Sequence, residues 1–232
     1  MKLTFLGTGA ADWVGQPKTG DFRRLCSTRI GDHLLIDGNP EIMDFISDPE
    51  AITDILYTHR HGDHYDPKLW PLLPNATPRA GELLHEKIVT FRDNESFIAG
   101  GLKITPLHGN HCPSPVHHFF IEDGEKCIYY ALDSAWLLIE ESLFLRQKKL
   151  DALVIDATIG DGHEGDYRVF EHNSLPMVRI MVDTLRSTGV LRPEAPVFLN
   201  HMARSLHPGS EELRASLTPG FIAPNDGETY II

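Results

Sequence analysis

The 232-residue sequence is poor in cysteine, and it has no long hydrophobic run. Its three cysteines, Cys26, Cys112 and Cys127, are an odd number without paired spacing. This excludes a disulfide framework and a Cys-x-x-C zinc knuckle, and it favours a reducing compartment. No apolar stretch approaches the ~20 residues of a membrane helix, and the first is shorter than the roughly 7–15 residues of a secretory signal. We therefore expect a cytoplasmic protein without a membrane partner.

Positive charge is also scarce, because 21 lysines and arginines face 33 aspartates and glutamates, a formal net charge of −12. A chain this acidic repels polyanions unless a metal or a local basic patch intervenes. Nucleic acid is therefore an unexpected partner. The hydrophobic fraction of 41% and the charged fraction of 23% are typical of a globular protein. The length is compatible with one large domain.

The order of strand and helix signals indicates a mixed fold. Helical spacing predicts helices at 41–47, 81–91, 139–149, 175–187 and 210–217. Short apolar runs that end in turn residues predict strands at 2–6, 33–36, 55–57, 102–107, 116–121, 128–132, 153–155, 197–199 and 229–232. No repeat or linker divides the chain. We predict an α+β fold, with strands packed as a sandwich and helices outside, in a single domain spanning 1–232.

Histidine is abundant, with thirteen residues, and four potential metal ligands lie within six residues. His59, His61, Asp63 and His64 directly follow the strand predicted at 55–57. Alternate side chains at a strand end point the same way, so His59 and His61 are expected to hold one ion together. Asp63 and His64 follow a glycine and are expected to turn toward a second ion. Imidazole and carboxylate suit zinc, manganese or iron.

An ion near tetrahedral or five-coordinate geometry needs further ligands, and other predicted strands end in suitable residues. Asp133 and His201 each follow a predicted strand, and the loop after a third strand offers both His108 and His111. His117 and His118 lie within a strand, so only one of them is expected to face the site. The repeated placement at strand ends predicts one convergent site along one edge of the fold.

The string THRHGDH, with an early FLGTGAADW and a late LNHMARS, resembles the metallo-β-lactamase superfamily of hydrolases. LLIDGNP, YYALDSAW and APNDGETYII resemble further blocks of that superfamily, so the resemblance covers almost the whole chain. It implies a four-layer αββα sandwich with a two-metal site at one edge of the sheets. The implied ligands are His59, His61 and His111 for the first ion, Asp63, His64 and His201 for the second, and Asp133 as the bridge. His111 is preferred to His108 because its distance to the following strand fits the superfamily better.

Within the superfamily, the chain is most similar to the RNase Z-like and cyclic phosphodiesterase branch. That branch has a Glu-Ala-Thr segment and a His-Ser-Thr segment before its last histidine. Here Asp156-Ala157-Thr158 and His172-Asn173-Ser174 match those segments in part. The resemblance implies that Asp156 orients His172, that His172 protonates the leaving oxygen, and that Asp63 is also catalytic. The alternative is that His172 is a surface residue before a helix.

The resemblance implies a dinuclear hydrolase in which a metal-bridging hydroxide attacks a small phosphodiester, cyclic or linear. Two divalent ions are expected, zinc foremost, with manganese or iron as alternatives. A lactonase or thioesterase with the same metal site is an alternative, as is an endonuclease for RNA 3′ processing. The acidic charge opposes the endonuclease. A homodimer is a further possibility, since dimers are common in the resembled family.

Two departures from related proteins concern cysteine and arginine. Cyclic phosphodiesterases that share the FLGTG start carry early cysteines for a structural zinc, whereas this chain offers only Cys26 there. We therefore expect no structural zinc, and we expect Cys112 not to be a ligand. Arg204 is a candidate phosphate contact or a solvated arginine, and the role of His207 stays open.

Overall fold

The computed structural model describes residues 1–112 and 115–232. Its first sheet begins with antiparallel strands and continues with parallel ones, in the order β14-β1-β2-β3-β4-β5-β6. The strands of this sheet are β1 (Lys2–Gly7), β2 (Ser27–Ile30), β3 (Leu34–Ile36), β4 (Asp54–Leu56), β5 (Thr77–Ala80), β6 (Val89–Thr90) and β14 (Glu228–Ile231).

The second sheet has the order β13-β12-β11-β10-β9-β8-β7 and is parallel from β13 to β10 and antiparallel from β10 to β7. Its strands are β7 (Phe97–Ala99), β8 (Leu102–His108), β9 (His117–Glu122), β10 (Cys127–Ala131), β11 (Ala152–Asp156), β12 (Val197–Asn200) and β13 (Phe221–Ile222). The consecutive strands β9 and β10 pair antiparallel as a hairpin.

The two sheets face each other across an apolar core. Because successive side chains of a strand point to opposite faces, each central strand contributes to two layers. In β10, Ile128 and Tyr130 pack against the first sheet, whereas Tyr129 and Ala131 pack against the helical side. Leu3 and Phe5 of β1 lie in the same core between the sheets. Strands buried on both faces fix the register, since a one-residue slip would exchange the two layers.

Helical segments cover the outer face of each sheet, which completes the four layers. The helices are α1 (Ile139–Leu145), α2 (Leu175–Ser187) and α3 (Ser210–Ser216), and the 3₁₀ helices include Pro40–Phe45, Pro67–Leu72 and Tyr167–Phe170. The apolar face of α2 packs on the second sheet through residues such as Val178 and Val182. Ser174 caps its start and Gly189 follows its end with φ 73°. No helix in the described ranges is long and apolar enough to span a membrane.

The prediction of a helix at 81–91 is wrong. This segment is irregular and leads into β6, which pairs in parallel with β5 through Arg79 and Val89. A Cβ on Gly81 would lie 2.1 Å from the His117 ring, so the chain packs closely against β9 at this point. The tertiary pairing overrides the local apolar spacing. The helix predicted at 139–149 ends at Leu145, and that predicted at 41–47 is the 3₁₀ helix Pro40–Phe45.

Candidate metal centre

The predicted site residues lie at one edge of the sandwich, immediately after the strands. Three residues within two positions of the ends of buried strands, Asp37, Asp133 and His201, have left-handed backbones with φ of 55°, 51° and 60°. This conformation is uncommon outside glycine, and such strain is concentrated at functional sites. The turn after each strand therefore directs a polar side chain back over the sheet edge.

His59, His61 and His111 form the first group of candidate ligands. Their ring nitrogens lie within 4.8 Å of one another. Nε2 of His111 is 3.1 Å from Nδ1 of His61, and the rings of His59 and His61 are 4.5 Å apart. His108, the alternative in the same loop, is exposed and belongs to no candidate ligand group in the described residues. The structure therefore brings His111, rather than His108, beside the HxH pair.

Asp63, His64 and His201 form the second group, and Asp133 lies between the two. Asp63 Oδ2 is 3.3 Å from His201 Nε2 and 3.5 Å from His64 Nε2. Asp133 Oδ2 is 2.5 Å from His64 Nε2 and 3.4 Å from His201 Nε2. Asp133 also forms a candidate group with His59 and His64. The carboxylate predicted as a bridge thus lies next to members of both groups.

Two buried ring nitrogens in this cluster, His59 Nε2 and His111 Nδ1, have no hydrogen-bond partner among the described residues, although buried polar atoms in proteins nearly always have one. Two further buried atoms, His64 Nε2 and Asp133 Oδ2, face each other at 2.5 Å. All four belong to the convergent ligand groups. Neutral imidazole nitrogen and carboxylate oxygen are ordinary ligands of divalent transition metals. The residues present therefore fit divalent metal ions.

A buried aspartate from the first sheet orients His64. Asp37 accepts hydrogen bonds from the Thr58 amide and hydroxyl, both at 2.8 Å, and lies 2.8 Å from His64 Nδ1. This contact fixes the His64 tautomer and leaves Nε2 toward the ligand cluster. Sequence reasoning did not assign Asp37, although the LLIDGNP string contained it. Its role depends on a contact with a residue 27 positions away.

Asp156 connects the metal cluster to His172. Its Oδ2 is 2.9 Å from His172 Nδ1 and accepts from the Asp133 amide at 3.1 Å, while Oδ1 accepts from the Asn173 amide at 3.0 Å. The Thr158 hydroxyl, which sequence reasoning also missed, lies 2.8 Å from His201 Nδ1. His172 is 9% exposed, so it is not a surface residue. One carboxylate thus positions His172 and the backbone of Asp133.

The buried histidines of the site differ in the direction in which their pKa values are shifted. Burial disfavours the imidazolium of His201, but Asp133 and Asp156 outweigh burial and raise the pKa of His201 to about 10. Burial lowers the pKa of His59 well below its usual range. Burial also disfavours ionisation of Asp133, yet His201 and His64 outweigh it and hold the pKa of this carboxyl well below its usual range. For His172, burial is outweighed by Asp156, so the pKa of the imidazole is raised.

A cleft of about 420 Å³ opens onto this cluster. A larger cavity of about 510 Å³ lies at the proline-rich 67–78 stretch and contains none of the predicted site residues. The cleft is lined by Ala10, Ala11, Asp12, His61, Asp63, His111, Asp133, Thr158, Tyr167, Arg168, Glu171, His172 and His201. It therefore provides a substrate with access to both ligand groups and to His172.

Other sequence candidates lie apart from the cleft. Arg204 and His207 line a separate cavity of about 110 Å³, where His207 Nε2 is 2.7 Å from the Ala157 carbonyl. Cys112 is exposed, and Cys26 is buried with Sγ 3.5 Å from Asn200 Oδ1. None of these four residues belongs to a candidate ligand group in the described part of the chain.

His117 and His118 are both buried, and neither joins the candidate ligand groups of the described residues. His117 Nδ1 is 3.2 Å from the Thr58 carbonyl. His118 Nδ1 is 2.5 Å from Glu141 Oε1, on the helical side of the second sheet. The two neighbouring side chains thus point to opposite faces of β9, as strand geometry requires.

No family model and no curated protein sequence matches the chain. Its structure is similar to that of YhfI from Bacillus subtilis, described as a metallo-β-lactamase fold protein, with a TM-score of 0.74, 16% identity and coverage of 99% of this chain and 98% of that one. It is also similar to a diphosphatase of the PhnP family, with a TM-score of 0.69, 19% identity and coverage of 99% and 96%. For the short form of human tRNase Z the TM-score is 0.69, the identity 16% and the coverage 100% and 99%.

These similarities define the class of structure. The chain has the metallo-β-lactamase fold, and the fold predicted from its sequence is confirmed. The candidate ligand cluster lies at the edge of the two sheets where the resemblance placed a metal site.

Proposed function

We propose that the protein is a dinuclear metal-dependent phosphodiesterase that acts on a small phosphodiester, cyclic or linear. The observation that carries the proposal is the convergence of buried histidine and carboxylate ligand groups on a cleft that also contains His172. The descriptions of two similar structures as a diphosphatase and a tRNase support phosphate chemistry. The net charge of −12 favours a small ester over a large polyanion.

In this proposal the two ligand groups each hold one divalent ion. Bound divalent ions lower the pKa of water toward about 7 and offset charge on the phosphate oxygens. Zinc is the first expectation, with manganese or iron as alternatives, because the donor set is imidazole and carboxylate. The proposed ligands are His59, His61 and His111 for one ion, Asp63, His64 and His201 for the other, and Asp133 for both.

The remaining chemistry is assigned to side chains of the cleft. Asp156 holds a proton on His172 Nδ1 across 2.9 Å, which leaves Nε2 to protonate the leaving oxygen. Asp63 lies in the cleft beside His201 and is placed to orient the attacking water. Asp37 keeps Nε2 of His64 directed at the ligand cluster.

The test is the Asp133→Ala variant. Because Asp133 lies between both ligand groups, we expect loss of bound metal and loss of bis(p-nitrophenyl) phosphate hydrolysis by more than the roughly 10–100-fold typical of an outer-shell change. Elemental analysis of purified protein and a colorimetric assay measure the two effects. Asp32→Ala, an exposed aspartate far from the site, is the control and should change neither. Full hydrolysis by metal-stripped Asp133→Ala would contradict the proposal.

A substrate panel separates phosphodiester hydrolysis from lactone or thioester hydrolysis. Protonation of a leaving alkoxide by His172 is needed for the phosphodiester reaction in this proposal. We expect His172→Ala to reduce phosphodiester hydrolysis selectively. Equal activity of the wild type and His172→Ala on the phosphodiester, with strong lactone turnover, would favour a lactonase.

A further inference from the structure

The 3₁₀ helix Tyr167–Phe170 carries two aromatic side chains that are unusually open to solvent. Tyr167 and Phe170 are each 80% exposed. Of these two aromatic residues, Tyr167 is among the described residues that line the cleft and Phe170 is not. An exposed ring beside a reactive cleft offers an apolar face for stacking, whereas the ring of Phe170 lies outside the cleft. The two rings therefore form a natural pair for comparison.

The segment that carries Tyr167 is held in place before any ligand arrives. Asp166 accepts from the Arg168 amide at 2.9 Å and from its guanidinium Nε and Nη2 at 2.8 and 3.0 Å. The guanidinium carbon of Arg168 lies 5.7 Å from the centre of the Tyr167 ring. The His172 amide donates to the Arg168 carbonyl at 2.8 Å. These contacts order the backbone of the turn that carries Tyr167 before a ligand binds, which lowers the cost of ordering it for stacking.

Charge does not provide recognition beyond the reacting phosphate. Arg168 is the one lysine or arginine among the described cleft residues, and its guanidinium is already bound by Asp166 through two nitrogens. Asp12 and Glu171 also line the cleft. Their carboxylates disfavour a substrate arm with a second phosphate, since like charges repel. Affinity for the substrate arm that is not released must then come from an uncharged contact.

We propose that Tyr167 is a specificity-determining residue that selects phosphodiesters whose retained arm carries a planar ring. This inference rests on the proposed phosphodiesterase function. The small side chains of Ala10 and Ala11 line the same cleft and leave room for a flat group. Stacking of a ring on Tyr167 would add binding energy for the retained arm without taking part in bond cleavage.

The test compares two esters that share a leaving group and a charge. Thymidine 5′-(p-nitrophenyl phosphate) has a ring on its retained arm, and methyl p-nitrophenyl phosphate has none. With metal-loaded protein, we expect Tyr167→Ala to raise KM for the thymidine ester about tenfold, within the range for one base–aromatic stack. We expect kcat for this ester and both constants for the methyl ester to stay near wild type. Tyr167→Phe, which keeps the ring, should behave as wild type.

Phe170→Ala is the matched control, because it removes an equally exposed ring from the same turn outside the cleft. It should change neither ester. If Tyr167→Ala affects both esters equally, or neither, while the wild type hydrolyses both, the inference is wrong and the phosphodiesterase proposal stands. If the metal-loaded wild type hydrolyses neither ester, the proposed function fails and the inference fails with it.

Discussion

The second sheet lies against two buried clusters of histidine and carboxylate, which differ in how their polar atoms are paired. At the metal centre, the buried ring nitrogens His59 Nε2 and His111 Nδ1 have no hydrogen-bond partner among the described residues. In the other cluster, His118 Nδ1 is 2.5 Å from Glu141 Oε1 and His118 Nε2 is 3.0 Å from the Leu132 carbonyl. We call these the open cluster and the closed cluster.

Every side-chain polar atom of the closed cluster has a partner. The Tyr129 hydroxyl donates to Glu141 Oε1, and Glu141 Oε2 accepts from the Leu138 amide at 2.6 Å. Both clusters combine buried histidine with carboxylate, and they differ in that the metal centre has several converging ligand residues and unpaired ring nitrogens. The comparison teaches that buried histidine beside carboxylate does not by itself predict a metal site. Buried ligand atoms without a hydrogen-bond partner do predict a metal site, because leaving buried polar atoms without partners is costly.

The largest effect on kcat is expected for Asp156, which links the open cluster to His172, the proposed proton donor. Asp156→Asn removes the carboxylate partner of His172, so kcat for a phosphodiester should fall by about 10²–10⁴-fold, the usual range for general acid catalysis. The pH profile should move as well. In the wild type, burial lowers the pKa of His172, but the charge and hydrogen bond of Asp156 together with the charge of Asp133 outweigh burial and raise it.

The sign of the pH effect follows from the proton that His172 must carry. The acid works only when protonated, so activity falls as pH rises through the raised pKa of His172. Without the Asp156 charge, the basic limb of the pH profile, where kcat/KM falls as pH rises, should move to lower pH. Asp161→Asn, a half-exposed aspartate paired with Arg179, is the control and should leave the limb in place. An unchanged limb in Asp156→Asn would show that Asp156 does not tune His172.

A smaller effect, on metal affinity, is expected for Asp37, which contacts His64 from outside the ligand groups. Asp37→Asn keeps the shape but weakens the hold on His64 Nδ1, so metal affinity should fall by about 10–100-fold. Competition with a chromogenic chelator measures the loss. Asp44→Asn, whose carboxylate pairs with Arg24 at the surface, should bind metal as the wild type does. Wild-type affinity of Asp37→Asn would mean that Asp37 only supports the fold.

The sequence predicted the ligand residues of the open cluster better than the residues that contact and orient those ligands. Short runs such as 59–64 place ligands directly after a strand, and the period of a strand is enough to bring them to one edge. Asp37 and Thr158 act through contacts across the fold, with partners such as His64 and His201, and local patterns do not encode such pairing. The same limit applies to the helix predicted at 81–91, where pairing with β5 overrides the apolar spacing.

The closed cluster supplies the prediction with the smallest effect on the site. His118→Leu removes one partner of a buried pair and leaves Glu141 without its histidine, which should destabilise the fold by about 3–5 kcal/mol. At about 2–4 °C per kcal/mol for a chain of this size, Tm should fall by roughly 6–20 °C. Metal content per folded molecule should stay at the wild-type value, because both nitrogens of His118 are already bound by the protein.

The double variant His118→Leu with Glu141→Met tests whether the pair is a purely structural unit. Replacing both buried partners by apolar side chains often costs less than removing one, so the double variant should unfold at higher urea than His118→Leu alone. The two effects are then non-additive, as expected for residues in contact. Loss of metal from His118→Leu at unchanged stability would contradict the comparison, since the closed cluster would then belong to the metal centre through Leu132, the residue before Asp133.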